Sequence, residues 1–239
     1  MGKQFLFNLF LFILLISYCK EVNSSGNDDF QQAIHDFKSK GLDKVESPGK
    51  GLPFLATEHF DLPWNSEDKD IIKIPNYNFK NQNNNFVTHK KMNDKISIAC
   101  FFYTQCGGYC PLIMKHMKKI RDAFPDDKNI YLVSYSVTPD YDTPKVLTRY
   151  SNTTGFGKFN WDLVTGDKKE IYKLARETFN ADTNTLTPRT SNDFIHSEHI
   201  YIIDSKRKLR GIYDGNVNGD IERVIKDVKI LKQSENIDY

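Results

Sequence analysis

The amino-acid sequence predicts an α/β domain with a parallel sheet at its centre. Two stretches, residues 96–103 and 129–137, are almost continuously apolar and rich in β-branched and aromatic side chains. Strands that are covered on both faces have this composition, whereas half-exposed strands alternate between apolar and polar residues. Each stretch is followed by a segment in which apolar residues recur at helical spacing. Buried strands joined through helices are typical of a parallel sheet with helices on its faces.

The first buried strand leads directly into a loop with two cysteines. Residues 104–109 form a glycine-containing loop. Cys106 lies within this loop, and Cys110 follows it directly. Pro111 follows, at a position that suits the first turn of a helix. Both thiols are therefore expected at the amino end of a helix, where unpaired N–H groups and the helix dipole favour thiolate over thiol. Two thiolates on such a platform make either a redox pair or part of a site for a soft metal ion.

The remaining elements complete the chain order of a thioredoxin-like fold with an N-terminal β-hairpin extension. The predicted elements are a hairpin at 77–90, the strand and helix that carry the thiols, a strand at 129–137, a helix at 144–150, a strand at 159–164, a helix at 168–179, a hairpin formed by 199–204 and 209–214, and a helix at 220–231. Strand–helix–strand–helix followed by hairpin and helix, with the thiols after the first buried strand, is thioredoxin-like topology.

Length and charge limit the possible domain organisation and partners. The 239 residues, 39% of them hydrophobic, are enough for one good-sized domain with a core. We expect that domain at residues 53–235, preceded by a flexible tether at 20–52 that is polar and broken by glycine and proline. The net charge of +2 is close to neutral and gives no support to a nucleic-acid partner.

Residues 1–19 are expected to direct export. One lysine is followed by the apolar residues 5–18 and by Cys19. The apolar stretch is short for a membrane span and matches the hydrophobic region of a secretory signal. Cys19 is placed like the lipid-acceptor cysteine of bacterial lipoproteins, although Tyr18 is bulkier than the residue expected before it. Lipid and a retained apolar anchor both stay open, and either predicts a membrane-anchored protein that faces the periplasm or another extracytoplasmic side.

Two of the four cysteines remain for chemistry. Cys19 is explained by export, and Cys100 lies in the middle of an apolar strand, where it is expected to be a small buried hydrophobe. The spacing of Cys106 and Cys110 is wider than the C-x-x-C of thioredoxins and lets both sulfurs approach one soft ion such as Cu(I) or Zn(II). His196 lies on the loop that enters the hairpin strand near the thiols and is a candidate third ligand. A loop histidine satisfied by solvent is the alternative.

Other functions would use the same thiols differently. In a thiol–disulfide oxidoreductase, Cys106 would attack and Cys110 would resolve the mixed disulfide. Such enzymes usually carry a proline directly before the strand that faces the thiols, and residues 195–197 hold none. A peroxidase of peroxiredoxin type needs proline and threonine at fixed distances before its cysteine, where this sequence has Ala99 and Tyr103. A structural disulfide in an exported binding module is a further alternative.

Three segments together resemble the SCO/SenC family. They are residues 102–111, which contain FYT-x-C-x-x-x-CP, residues 133–144, which read VSYSVTPDYDTP, and His196-Ser197 followed by the strand that ends at Asp204. In order and with matching spacing, the resemblance covers residues 71–232. It implies a thioredoxin-fold copper protein, tethered to a membrane and facing outward, that takes part in assembling the dinuclear copper centre of cytochrome c oxidase.

Carried over residue by residue, the resemblance makes Cys106 and Cys110 the thiolate ligands of copper, as Cu(I) or Cu(II), and His196 the imidazole ligand. The family often has an acidic residue directly before this histidine, but here the residue is Ile195. A carboxylate that orients the imidazole would therefore come from elsewhere. The expected partners are copper, a copper-site subunit of cytochrome c oxidase or another copper-receiving protein, and the membrane. The alternative is a thiol–disulfide oxidoreductase that reduces the cysteines of copper sites or of other exported proteins.

Overall fold

The computed structural model describes residues 51–55, 71–181 and 197–235 of the 239-residue chain. In this part of the chain, seven strands form one sheet and four α-helices accompany it. The elements are β1 (Asn78–Asn81), β2 (Phe86–Thr88), β3 (Ile96–Phe102), α1 (Cys110–Asp122), β4 (Ile130–Ser136), α2 (Pro144–Thr154), β5 (Trp161–Thr165), α3 (Lys168–Lys173), β6 (His199–Ile203), β7 (Leu209–Asp214) and α4 (Asn218–Ser234). A 3-10 helix (His89–Met92) follows β2, and a π-helical turn (Leu174–Thr178) continues α3.

The sheet order places the strand before the two thiols at the centre of the domain. The strands are arranged β2-β1-β5-β4-β3-β6-β7. β3, β4 and β5 run parallel, β6 pairs with β3 in the antiparallel direction, and β7 forms a hairpin with β6. β1 and β2 form a second hairpin, which pairs with β5 at the other side of the sheet. The predicted α/β architecture, thioredoxin-like with an N-terminal hairpin extension, is therefore confirmed.

Both faces of the central strand are buried, as its apolar sequence predicts. Every residue of β3 is buried. Ile98 and Cys100 belong to a core cluster that includes Met117 of α1 and residues of α4. Phe101 points to the other face, where it stacks on Tyr135 with ring centroids 5.4 Å apart. Because successive side chains of a strand point to opposite faces, a strand covered on both faces is apolar at nearly every position, and Ser97 is the one polar residue of β3.

The helix boundaries follow local signals in the sequence, and α2 is a clear example. Thr143 precedes the helix, and its side chain accepts a hydrogen bond from the Val146 N–H (3.4 Å). Pro144 occupies the first turn, where a missing N–H costs nothing. The helix runs beyond the predicted residue 150 and ends before Gly155, whose φ of 75° lies in the left-handed region. This glycine, rather than a change in the apolar pattern, ends the helix.

The helix predicted at residues 168–179 is only partly regular. α3 ends at Lys173, and the chain continues as the π-helical turn, in which the Phe179 N–H donates to the Leu174 carbonyl (3.3 Å). The wider turn places Phe179 in the core, edge-on to Tyr201 with ring centroids 4.7 Å apart. Burial of this large ring explains the departure from regular α-helix.

A buried carboxylate joins the N-terminal hairpin to the parallel strands. Asp162 of β5 accepts hydrogen bonds from Asn81 Nδ2 (2.8 Å) of β1 and from the Tyr131 hydroxyl (2.9 Å) of β4. It also forms an ion pair with Lys91 of the 3-10 helix. Because a buried carboxylate needs donors around it, these contacts fix the hairpin against the sheet.

The predicted export signal at 1–19 and nearly all of the tether at 20–52 lie outside the described residues. In residues 51–55, 71–181 and 197–235, no helix is both long enough and apolar enough to cross a membrane.

Candidate functional site

The two thiols lie where β3 passes into α1. β3 ends at Phe102, and α1 begins with Cys110 itself. The connecting loop turns back on itself, since the Cys106 N–H donates to the Tyr103 carbonyl (3.3 Å). Gly108 lies beside the sulfur, since a Cβ at this position would be in ordinary van der Waals contact with Cys106 Sγ at 3.9 Å. The local sequence therefore brings both sulfurs to the amino end of α1, as predicted.

The two thiols contact each other and differ in acidity. Both are partly exposed and not joined by a disulfide. Burial raises the pKa of Cys106, but hydrogen bonds from the side chain and backbone of Cys110 outweigh it and hold the pKa below its ordinary value. The Gly108 backbone and the Tyr103 hydroxyl add to this lowering. Burial and the neighbouring Cys106 sulfur raise the pKa of Cys110 to about 12. Cys106 is therefore the more acidic thiol of the pair, and Cys110 is the less acidic one.

This difference predicts the order in which the thiols react. In the reduced full-length protein at pH 8, iodoacetamide should alkylate Cys106 faster than Cys110 by about tenfold or more, because the thiolate is the nucleophile. The rate at Cys106 should fall only when the pH drops below its lowered pKa, whereas the rate at Cys110 should rise up to about pH 12. Limited labelling followed by tandem mass spectrometry of the peptide that holds both residues measures the order.

Cys100 provides an internal control for this experiment. It is fully buried, and burial raises the pKa of its thiol to about 12. Its Sγ lies 3.1 Å from Ser134 Oγ, and it packs in the core as the sequence predicts. Cys100 should stay unlabelled until the protein is unfolded in urea. Labelling of Cys110 before Cys106 in the folded protein would contradict the conclusion that Cys106 is the more acidic thiol.

A cavity connects the thiols to the start of β6. Its volume is about 240 Å³, and both Cys106 and Cys110 line it. Ser197 and Glu198 line the same cavity. His196, the predicted third ligand, directly precedes Ser197 but lies outside the described residues. A second cavity of about 350 Å³ also has both cysteines in its wall, with Tyr150 across from them.

The other histidines near the site have protein contacts of their own. His116 is buried because α1 packs against the loop after β7, and its Nδ1 lies 2.7 Å from the Gly215 carbonyl oxygen. The ring of His199 lies edge-on to Tyr201, with centroids 6.1 Å apart. Within residues 51–55, 71–181 and 197–235, no three His, Cys, Asp or Glu side chains gather closely enough to hold one metal ion.

Sequence reasoning gave no role to Asp142, which the structure places beside the thiol loop. The carboxylate is fully buried and accepts a hydrogen bond from the Thr104 N–H (3.1 Å), two residues before Cys106. The signal in the sequence is one of two aspartates in a short turn with serine and threonine around it, directly after a buried strand. That pattern indicates a turn but not the distant partner.

Comparison with known proteins shows the family. A family model described as SCO1/SenC matches residues 65–233, well over half of the chain. The SCO1 protein homolog of Bacillus subtilis (strain 168) is 26% identical over 159 residues, which cover 66% of this chain and 81% of the relative.

Solved structures agree with this assignment. A SCO1/SenC family lipoprotein from Bacillus anthracis str. Ames superposes with a TM-score of 0.59 at 27% identity, over 70% of this chain and 98% of that one. ScoI of Bradyrhizobium japonicum, solved with copper bound, superposes with a TM-score of 0.53 at 22% identity, over 66% of this chain and 98% of that one. At 22% identity, the likeness to ScoI of Bradyrhizobium japonicum shows the fold alone.

The fold and the site together define a thioredoxin-like protein with a C-x-x-x-C dithiol at the first strand–helix passage of its parallel sheet. Within that class, the chain belongs to the SCO1/SenC family.

Proposed function

We propose that this protein is an extracytoplasmic copper chaperone that binds Cu(I) and Cu(II) through Cys106, Cys110 and His196. Its cargo would go to the copper-site subunit of cytochrome c oxidase or to another copper-receiving protein. Family membership supports this proposal, since one solved relative is described as a member of the Sco family of cytochrome c oxidase assembly proteins and another carries bound copper.

One observation carries the proposal: the two sulfurs are in contact and share a cavity with Ser197, the residue after His196. Thiolate sulfur and imidazole nitrogen are the donors that soft copper ions prefer. Since the pKa of Cys106 is lowered and that of Cys110 is raised, the proton of Cys110 is the harder one to displace when copper binds.

The surroundings of the thiols suit delivery by ligand exchange. A receiving protein has to reach the metal while the donor still holds it, so the site must lie near the surface. Tyr109 and Leu112, beside the thiols, are 60% and 39% exposed. A Cβ at Gly107 would meet nothing within 4 Å, so a partner backbone can approach the loop there.

Membrane tethering is part of the proposal. Residues 1–19 carry the expected export signal, and Cys19 is the candidate for lipid attachment. The Bacillus anthracis relative is described as a lipoprotein, which supports anchoring by lipid on the extracytoplasmic side.

A second candidate function is thiol–disulfide exchange. The lowered pKa of Cys106 and its contact with Cys110 are what an attacking thiol and a resolving thiol need. A Sco relative is described as having a disulfide switch, which also supports redox activity of the pair. In this reading the dithiol would reduce the cysteines of copper sites or of other exported proteins.

A copper titration of the reduced full-length protein tests the proposal. We expect one Cu(II) ion per chain and absorption from charge transfer between thiolate and Cu(II). Cys106→Ser and Cys110→Ser should each remove or strongly weaken this absorption, while Cys100→Ser, at a buried site of the same chemistry, should keep it. Copper absorption that survives the loss of either Cys106 or Cys110 would reject the site.

A further inference from the structure

A fully buried carboxylate holds the end of β3 and the end of β4 together beside the thiols. Asp142 Oδ2 accepts hydrogen bonds from the Thr104 N–H (3.1 Å), the Ser136 hydroxyl (2.6 Å) and the Thr138 hydroxyl (3.0 Å). Asp142 Oδ1 accepts a further hydrogen bond from the Thr104 hydroxyl. No part of the Asp142 residue is significantly exposed.

Such a carboxylate is costly unless its surroundings supply donors. Burial of an ionised group without partners costs several kcal/mol, so each buried carboxylate needs hydrogen bonds or a cation. Asp142 has four hydrogen bonds from three side chains and one backbone N–H, and in the described part of the chain no salt bridge to it is found. The carboxylate is therefore held by loop donors, and in turn it holds those loops.

The held loops are the ones that lead to the thiols. Thr104 is bound through both its backbone and its side chain, and Cys106 follows two residues later in a turn closed by its own N–H bond to the Tyr103 carbonyl (3.3 Å). On the other side, the turn that contains Asp142 is closed by bonds from the Tyr141 and Asp142 N–H groups to the Thr138 carbonyl (2.9 and 2.8 Å). The carboxylate thus ties the start of the thiol loop to a rigid turn.

We propose that Asp142 is a positioning residue, which fixes the loop before Cys106 so that its sulfur stays against Cys110. How well the loop holds the two sulfurs together sets the rate and the equilibrium constant of disulfide formation between them. The inference rests on the part of the proposed function that makes Cys106 and Cys110 a working pair, and it does not require copper.

The test is the equilibrium of the metal-free full-length protein with glutathione. In this reaction the dithiol and one oxidised glutathione give the Cys106–Cys110 disulfide and two reduced glutathione molecules. Asp142→Ala removes the acceptor for all four hydrogen bonds, and we expect the equilibrium constant for disulfide formation to fall about tenfold. Quenched samples at several glutathione ratios, separated after alkylation, give the constant.

Asp142→Asn is the conservative variant that separates position from charge. Its amide oxygen can accept two of the three bonds made to Oδ2, and its NH₂ group can donate to the Thr104 hydroxyl, which accepts as well as donates. The asparagine variant should therefore keep an equilibrium constant within about twofold of the wild type. An asparagine variant that behaves like the alanine variant would overturn the positioning role.

Asp162→Ala is the matched control, because Asp162 is also a buried aspartate with several donors but joins the N-terminal hairpin to the sheet. Both alanine variants should lower the urea midpoint of unfolding, and only Asp142→Ala should change the disulfide equilibrium. An unchanged equilibrium in Asp142→Ala would show that this residue serves stability alone. If Asp142→Ala does not fold, Thr104→Val loses only the hydroxyl bond and should lower the constant about threefold; no change in that variant also overturns the proposal.

The two proposals can fail separately. Normal copper binding together with an unchanged disulfide equilibrium in Asp142→Ala would reject the inference and leave the proposed function standing. A wild-type protein that forms the disulfide but binds no copper would reject the copper chaperone. The glutathione equilibrium of Asp142→Ala would still decide the role of Asp142, because that measurement uses no metal.

Discussion

His196→Ala should weaken Cu(II) binding to the reduced full-length protein by about 100-fold or more. The imidazole is proposed as a direct ligand, and even partners that only orient a ligand change metal affinity by about 10- to 100-fold when they are removed. Loss of the ligand itself should cost at least as much. Competition with a chelator of known affinity measures the change, and the absorption from thiolate to Cu(II) should shift because the remaining donors are both sulfur.

His199→Ala is the matched control for this variant. His199 is three residues further along the chain and begins β6, where its ring lies edge-on to Tyr201 and its backbone N–H donates to Ser197 Oγ (3.3 Å). This variant should bind Cu(II) like the wild type. Alkylation of Cys106 should be unchanged in both variants, because the pKa of Cys106 is shifted by burial and by hydrogen bonds from Cys110, Gly108 and Tyr103, and by neither histidine. Equal copper affinity in His196→Ala and the wild type would favour the oxidoreductase.

The architecture could be predicted from sequence because burial leaves a local signal. The runs of β3 and β4 are apolar apart from three small serines, Ser97, Ser134 and Ser136, and both strands are buried at every residue. The π-helical turn left no such signal. Its geometry depends on where Phe179 finds room against Phe101 and Tyr201, and those rings come from distant parts of the chain. Helical spacing alone therefore predicted one regular helix at residues 168–179.

The same distinction applies to the site. Cys106 and Cys110 could be placed because a strand, a short loop and a proline near the helix start are adjacent in sequence. Asp142 could not, since its partner Thr104 lies 38 residues away and only the parallel pairing of β3 with β4 brings the two loops together. The place of His196 stays a prediction, supported by Ser197 in the wall of the cavity that the thiols line.

Oxidation of Cys106 and Cys110 to a disulfide should abolish copper binding. The disulfide removes both thiolate donors at once and leaves one imidazole of the proposed set. If each direct ligand contributes about 100-fold to affinity, the oxidised protein should bind about 10,000-fold more weakly. The two thiols already interact through a hydrogen bond in the reduced protein, which places the sulfurs as neighbours before oxidation. Equilibrium dialysis of oxidised protein against Cu(II), followed by reduction and a second titration, measures the loss and its reversal.

A variant at Cys100 tests whether the loss of copper binding on oxidation depends on Cys106 and Cys110 alone. It is a third thiol in the core beneath α1, and burial keeps the pKa of this thiol raised to about 12. The Cys100→Ser variant should therefore lose copper on oxidation and regain it on reduction in the same way as the wild type. Oxidised protein that holds Cu(II) as tightly as reduced protein would mean that the sulfurs are not the ligands. Copper would then bind elsewhere, and the dithiol would act only by exchange with disulfides. Full recovery after reduction ties metal loading to the redox state of one pair of cysteines.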